Sequence, residues 1–181
     1  MRNHPSPLLA LLALVIVFCV SSFVSASAAS TAAPAKDQQN ASQAFDKLKA
    51  LAGTWEASSE HGKSTISYEV IAHGTSLIER IHTADKEDMA TVYHLDGDRL
   101  VLTHYCEAGN QPEMTAAAFD PESNEIRFNF ARISNLSNPN AGHMHSAAFH
   151  FDSANQTTMD WKWYENGKEG FTIHIQAHRV R

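Results

Sequence analysis

The chain has 181 residues, with 14 Lys and Arg against 20 Asp and Glu and a formal net charge of −6 with histidine neutral. An acidic chain without a Lys/Arg cluster offers no electrostatic footprint for nucleic acid or anionic lipid, which argues against both as partners. Histidine is the compositional oddity, with eleven in the chain.

The N-terminus reads as an export signal. Arg2 supplies a positive start, Leu8 to Val20 is a run of thirteen apolar residues, and Ala26-Ser27-Ala28 is a cleavage site of the A-x-A kind. The run is too short for a comfortable membrane span. Bulky Phe18 before Cys19 argues against lipoprotein processing. The expected organisation is a signal peptide over 1–28, a flexible linker over 29–41 and a single domain over 42–181, in a periplasmic or secreted protein. Cleavage leaves 13 basic against 20 acidic residues and a single cysteine, Cys106, so the mature chain forms no internal disulfide.

A short helix is predicted next. Asn40 stands as its cap with Gln43 in the capping-box position, Phe45, Leu48, Leu51 and Ala52 make one apolar stripe, and Gly53 ends it. From there alternation replaces helical periodicity. It predicts strands over 53–59, 64–72, 75–84, 88–95, 99–106, 112–119, 125–132, 143–152, 157–165 and 169–179. Asp96-Gly97 and Asn166-Gly167 are hairpin turns, and Ile133 to Gly142 is the one long loop. Strands joined by tight turns pair with their sequence neighbours, and a long meander buries its edges by closing. The fold class is therefore all-β: one antiparallel meander barrel of about ten strands with a short N-terminal helix.

The apolar face of each strand should line the interior. It carries Ile126, Phe128 and Phe130; Met159, Trp161 and Trp163; Phe171, Ile173, Ile175 and Ala177; and Ala147, Phe149 and Phe151, which brings His143 and His145 to the same side. In the fifth strand Leu100 and Leu102 would bring His104 and Cys106 inward, against a rival face of Val101, Thr103 and Tyr105. Glu69, Glu79 and Arg80 are expected to be solvated, as charged groups usually are.

Gly53-Thr54-Trp55, opening the first strand after a helix, resembles the G-x-W start of the calycin superfamily, the lipocalins and their relatives. In those folds a helix covers one end of the barrel and an Arg of the last strand packs on the tryptophan. The resemblance thus implies Arg179 or Arg181 over Trp55 as a cation–π contact. Leu102-Thr103-His104-Tyr105-Cys106, Gly109-Asn110-Gln111-Pro112 and Gly142-His143-Met144-His145 resemble a bacterial calycin-like family without an assigned function. That similarity runs from about residue 45 to the C-terminus. The haem-binding nitrobindins are a further relative. Their opening has more glycines, where this chain has Glu56-Ala57-Ser58-Ser59, and His174 and His178 lie on a polar strand face.

These readings point to a small, partly apolar molecule held in the lumen, with His104, His143 and His145 orienting it and Phe128, Phe130, Trp161 and Trp163 forming the walls. One alternative is a metal site or metal-dependent activity in which His143, His145, His104 and Cys106 hold zinc or copper. Another is haem, as in the nitrobindins, and a third is a set of purely structural histidines. No catalytic constellation emerges: Ser146 points away from His145, Asp85, Glu87 and Asp88 read as a solvated turn, and phosphate-binding glycine loops are absent. A non-enzymatic protein is the expectation.

Overall fold

The computed structural model describes residues 36–83 and 89–180, with the backbone alone at 36–39, 117 and 118. The expected signal peptide, the first part of the linker, the Asp85–Asp88 turn and Arg181 lie outside the described residues. A helix, α1 (Lys36–Lys49), precedes ten strands: β1 (Gly53–Ser59), β2 (Gly62–Ile71), β3 (Ser76–Thr83), β4 (Met89–Asp96), β5 (Arg99–Tyr105), β6 (Gln111–Asp120), β7 (Glu125–Ser134), β8 (His143–Ser153), β9 (Gln156–Glu165) and β10 (Lys168–Arg179). Every strand pairs antiparallel with its sequence neighbours, and β1 pairs with β10 to close the barrel. The turn between β9 and β10 shows why its residues are Asn166 and Gly167. Both adopt positive φ, at 53° and 76°, as a two-residue hairpin turn demands.

The helix starts earlier than the sequence suggests. Asn40 sits inside α1 rather than capping it, and residues 36–41, expected to be linker, form its first turns. No Gly or Pro interrupts Lys36–Lys49, so nothing in that stretch stops the helix from extending. Ala41, Ala44, Phe45 and Leu48 are buried at helical spacing. Ala44, Phe45 and Leu48 join a core cluster with Trp55, Ile66, Tyr68, Leu77, Phe128, Phe149 and Trp161, among others.

Trp55 and Arg179 hold the helix to the barrel. They face each other across the closing β1–β10 pair. The Arg179 guanidinium lies 4.4 Å from the Trp55 ring centre, and Trp55 Nε1 donates to Leu51 O at 2.7 Å. Arg179 also donates to Ala50 O at 2.7 Å and Ala52 O at 2.5 Å, the carbonyls that leave the helix. The cation–π contact expected from the resemblance is thus present, through Arg179. It defines the helix end of the barrel. The opposite end carries the β5–β6, β7–β8 and β9–β10 connections and is called the loop end.

Two strand faces depart from expectation. Phe171 is 51% exposed rather than inward. The β9–β10 register shifts between Glu169 and Thr172, and Phe171 instead stacks on Trp163 with centroids 5.7 Å apart. Glu79 is fully buried rather than solvated. Its neighbours Glu69 and Arg80 are exposed, as expected, and pair at 3.1 Å.

Arg179→Ala removes the ring contact and the two helix-end bonds together. Urea denaturation should show a loss of about 1–2 kcal/mol, only partly recovered by Arg179→Lys, which lacks the planar fork. An unchanged midpoint would show that the helix end does not depend on this side chain.

Candidate functional site

Four polar side chains form a row on the inner wall. Tyr68 of β2, Glu79 of β3, Thr91 of β4 and His104 of β5 are consecutive cross-strand partners. All four are at most 3% exposed. Because barrel strands tilt, a row at right angles to them climbs the wall. It starts opposite Gly53 near the helix end and finishes at His104, close to the loop end.

Alternation puts Glu79 in this row, between buried Leu77 and Ile81. Tyr93 donates a short hydrogen bond to Glu79 Oε2, while Glu79 Oε1 has no partner. Burial pushes the Glu79 carboxyl up to about 7, with the Tyr93 bond opposing the shift. Burial also raises the Tyr93 and Tyr68 phenols well above their ordinary value. Tyr68 donates to Met159 Sδ at 3.4 Å.

His104 closes the row. Its Nδ1 lies 2.9 Å from Thr91 Oγ1, and burial pulls the imidazole down to about 4, so the ring is neutral at physiological pH. Its Nε2 has no partner. The Trp161 ring is 4.9 Å away, and the buried Trp161 Nε1 also lacks a partner. Phe149 meets Trp161 edge-on at 6.2 Å, and Tyr93, Phe128 and Phe149 contact one another at 6.0 Å. The interior is thus filled largely by rings, with His104 and Trp161 presenting polar atoms among them.

The three motifs singled out in the sequence converge at the loop end. Gly109 N–H donates to Cys106 O at 2.9 Å, and Asn110 Nδ2 donates to Gly142 O at 2.9 Å. Gly142 leaves room for the Trp163 indole, which would stand only 2.0 Å from a β-carbon there. His143 Nδ1 is 3.2 Å from Ala141 O, and its Nε2 is 3.1 Å from His145 Nδ1. The His145 ring is sandwiched between Phe130, at 4.5 Å, and Tyr164, at 4.3 Å. Burial and the neighbouring His143 lower the His145 pKa.

This arrangement separates residues that the sequence reading grouped. The β8–β9 register slips between Met144 and Ser146, so Met144 faces Trp163 and enters the core while His143 faces Tyr164. His143 and His145 form one pair. Among the described residues no group of three or more His, Cys, Asp or Glu side chains is placed to hold a metal ion. Hence His104, Cys106, His143 and His145 do not assemble as a four-ligand set. Cys106 is buried, and burial is the main cause of its raised thiol pKa. His174 and His178 are exposed, at 2.7 Å from Asp160 and 3.3 Å from Glu56 respectively, and supply no interior ligand for a haem.

No family model and no curated protein matches the chain. Among solved structures it is similar to a redesigned beta barrel at 11% identity, covering 75% of this chain and 96% of that one with a TM-score of 0.35. It is also similar to EF1p2_mFAP2b bound to DFHBI at 12% identity, covering 78% of this chain and 98% of that one with a TM-score of 0.29. The barrel assignment rests on the strand pairing itself.

Glu79 and His104 give stability opposite pH dependences. Between about pH 4.5 and 7 folded Glu79 keeps a proton that the unfolded chain has released, so stability falls as pH rises. Between about pH 4 and 6.5 the unfolded chain's His104 binds a proton that the folded ring does not, so stability rises with pH. Each amounts to roughly 3 kcal/mol over its window, and the two nearly cancel where they overlap. Glu79→Gln should therefore unmask a stability that climbs from pH 4 to 6.5, and His104→Gln one that falls from 4.5 to 7. Denaturation midpoints with unchanged slopes in both variants would contradict these protonation states.

A second prediction concerns Gly142→Ala. Its new methyl must displace Trp163, at a cost of about 1–3 kcal/mol, with an altered tryptophan emission spectrum. A neutral substitution would mean that Trp163 does not rest on Gly142.

Proposed function

We propose that this is an exported, non-enzymatic barrel that binds a small, partly apolar molecule at the loop-end side of its interior, against His104 and Trp161. The observation that carries the reading is the pair of buried polar atoms on adjoining rings, His104 Nε2 and Trp161 Nε1, neither with a protein partner. A buried polar atom left unpaired costs about 1–3 kcal/mol, and native interiors rarely leave two side by side. A guest that bonds to both recovers that energy.

The surroundings support the same reading. Phe128, Phe149 and Trp161 give the apolar wall that small-molecule sites favour, with few polar groups to orient the guest. Because rings fill the interior, entry requires side chains at the loop end to move aside. Partly buried Trp163 and exposed Phe171 stack there and are the groups best placed to move. His143, His145, Phe130 and Tyr164 form the adjacent wall. Export follows from the leader-like composition of residues 1–28. Among the described residues, burial raises the Cys106 thiol pKa, and Glu79 has no carboxylate beside it in the inner row.

Native mass spectrometry of the mature protein, purified from its own host compartment, tests this reading against the denatured mass. Excess mass of organic size is expected, reduced about tenfold or more in occupancy by His104→Leu, with the fold retained by circular dichroism. The absence of excess mass across preparations would favour a packed barrel with structural histidines. Excess mass of a single metal ion would favour the metal reading instead.

A further inference from the structure

The motif stretches Leu102–Cys106 and Gly109–Pro112 have an outer side as well. Leu102, His104 and Pro112 are buried, so alternation turns Thr103, Tyr105 and Gln111 outward. There they line a groove of about 270 Å³ together with Glu113, Arg132 and Ser134. A register slip builds it. Met114 pairs with Phe130 and Glu113 with Arg132, which makes Ala131 an extra residue in β7. Plain alternation from Phe128 and Phe130 would send Arg132 into the barrel. The bulge sends Arg132 and Ser134 outward instead, opposite Glu113 and Gln111. Bulges also bend their strand, and they concentrate where a side chain has to be re-aimed.

The polar groups of the groove are held in place. Arg132 forks onto Glu113, with Nε 3.0 Å from Oε1 and Nη2 2.6 Å from Oε2. Gln111 Nε2 donates to Gly109 O at 3.2 Å, and Gln111 Oε1 accepts from Ser134 Oγ at 3.3 Å. The fork uses two of the five guanidinium N–H groups, and each carboxylate oxygen keeps a lone pair. Opposite charges cancel within it. The Tyr105 ring beside it is 50% exposed.

We propose that this outer groove binds a neutral sugar residue, stacked on Tyr105 and hydrogen-bonded through adjacent hydroxyls to the Arg132–Glu113 fork and the Gln111 amide. The site stands apart from the barrel interior and does not depend on a guest there. Adjacent hydroxyls both donate and accept, which suits fixed planar groups that offer both, and the C–H face of a sugar ring covers an exposed phenol. An anion meets Glu113 and a cation meets Arg132, so either works against one half of the fork. An apolar guest would strip water from the fork and return no hydrogen bond. The volume falls just under the roughly 300–1,000 Å³ of drug-sized sites, which limits the fit to a single ring. Groups already fixed lose little entropy on binding, while an open groove keeps affinity near about millimolar.

Nitrogen-15 NMR of the mature protein tests this with glucose, galactose, mannose and N-acetylglucosamine, and with maltotriose and chitotriose. Amide shifts confined to the surroundings of Tyr105, Gln111 and Arg132 are expected with at least one of them. Tyr105→Ala should weaken that binding about tenfold with an unchanged thermal midpoint, since the ring is exposed. A trisaccharide that binds tighter than its monosaccharide by about tenfold identifies the residue of a glycan chain as the ligand; equal affinities identify the free sugar. No shift with any of the six at about 50 mM, or shifts only elsewhere, overturns the proposal. So does unaltered binding in Tyr105→Ala. Tighter binding of glucuronate or glucosamine than of glucose overturns the neutral class.

Discussion

Closure of the sheet through β1 and β10 is the constraint on which the rest of the structure depends. A closed meander has no free edge, and it commits one face of every strand to a shared interior. Closure also brings Trp55 opposite Arg179, which ties α1 across one end through ring stacking and the helix-end carbonyls. With that end held, the loop end lies opposite it. The converging Cys106–Asn110, Gly142 and Trp163 contacts shape that end.

Most of the interior is ordinary close packing of rings and aliphatic groups. The row from Tyr68 to His104 is the exception, and its chemistry is internally consistent. A carboxyl raised by burial to about 7, a phenol that donates to it and an imidazole kept neutral by burial can share the interior without a net charge below that pH. Hydrogen bonds in such a row polarise one another. The cost of burying such groups is offset only where each polar atom finds a partner, and Glu79 Oε1 and His104 Nε2 have none among the described residues.

Much of this architecture was legible because strands and turns leave local signals. Asn166-Gly167 announces its hairpin by chemistry, and alternation around Leu100 and Leu102 correctly carried His104 inward. Glu79 was missed because a charged residue is normally solvated, yet Leu77 and Ile81 on either side already placed it on the buried face. The register slip in β8 was not legible either: one extra residue between Met144 and Ser146 brings Met144 opposite Trp163, and nothing local in Gly142–Ser146 marks it. The convergence of the β5, β5–β6 and β8 motifs was beyond sequence reading, since it depends on how three connections meet in space.

The most direct test of the account is a crystal structure of protein purified from its own compartment, at a resolution that separates atoms around His104 and Trp161. The account predicts density for a molecule larger than water, within hydrogen-bond distance of both His104 Nε2 and Trp161 Nε1. Rings that share a single water, or turn to bond with protein groups, would contradict it.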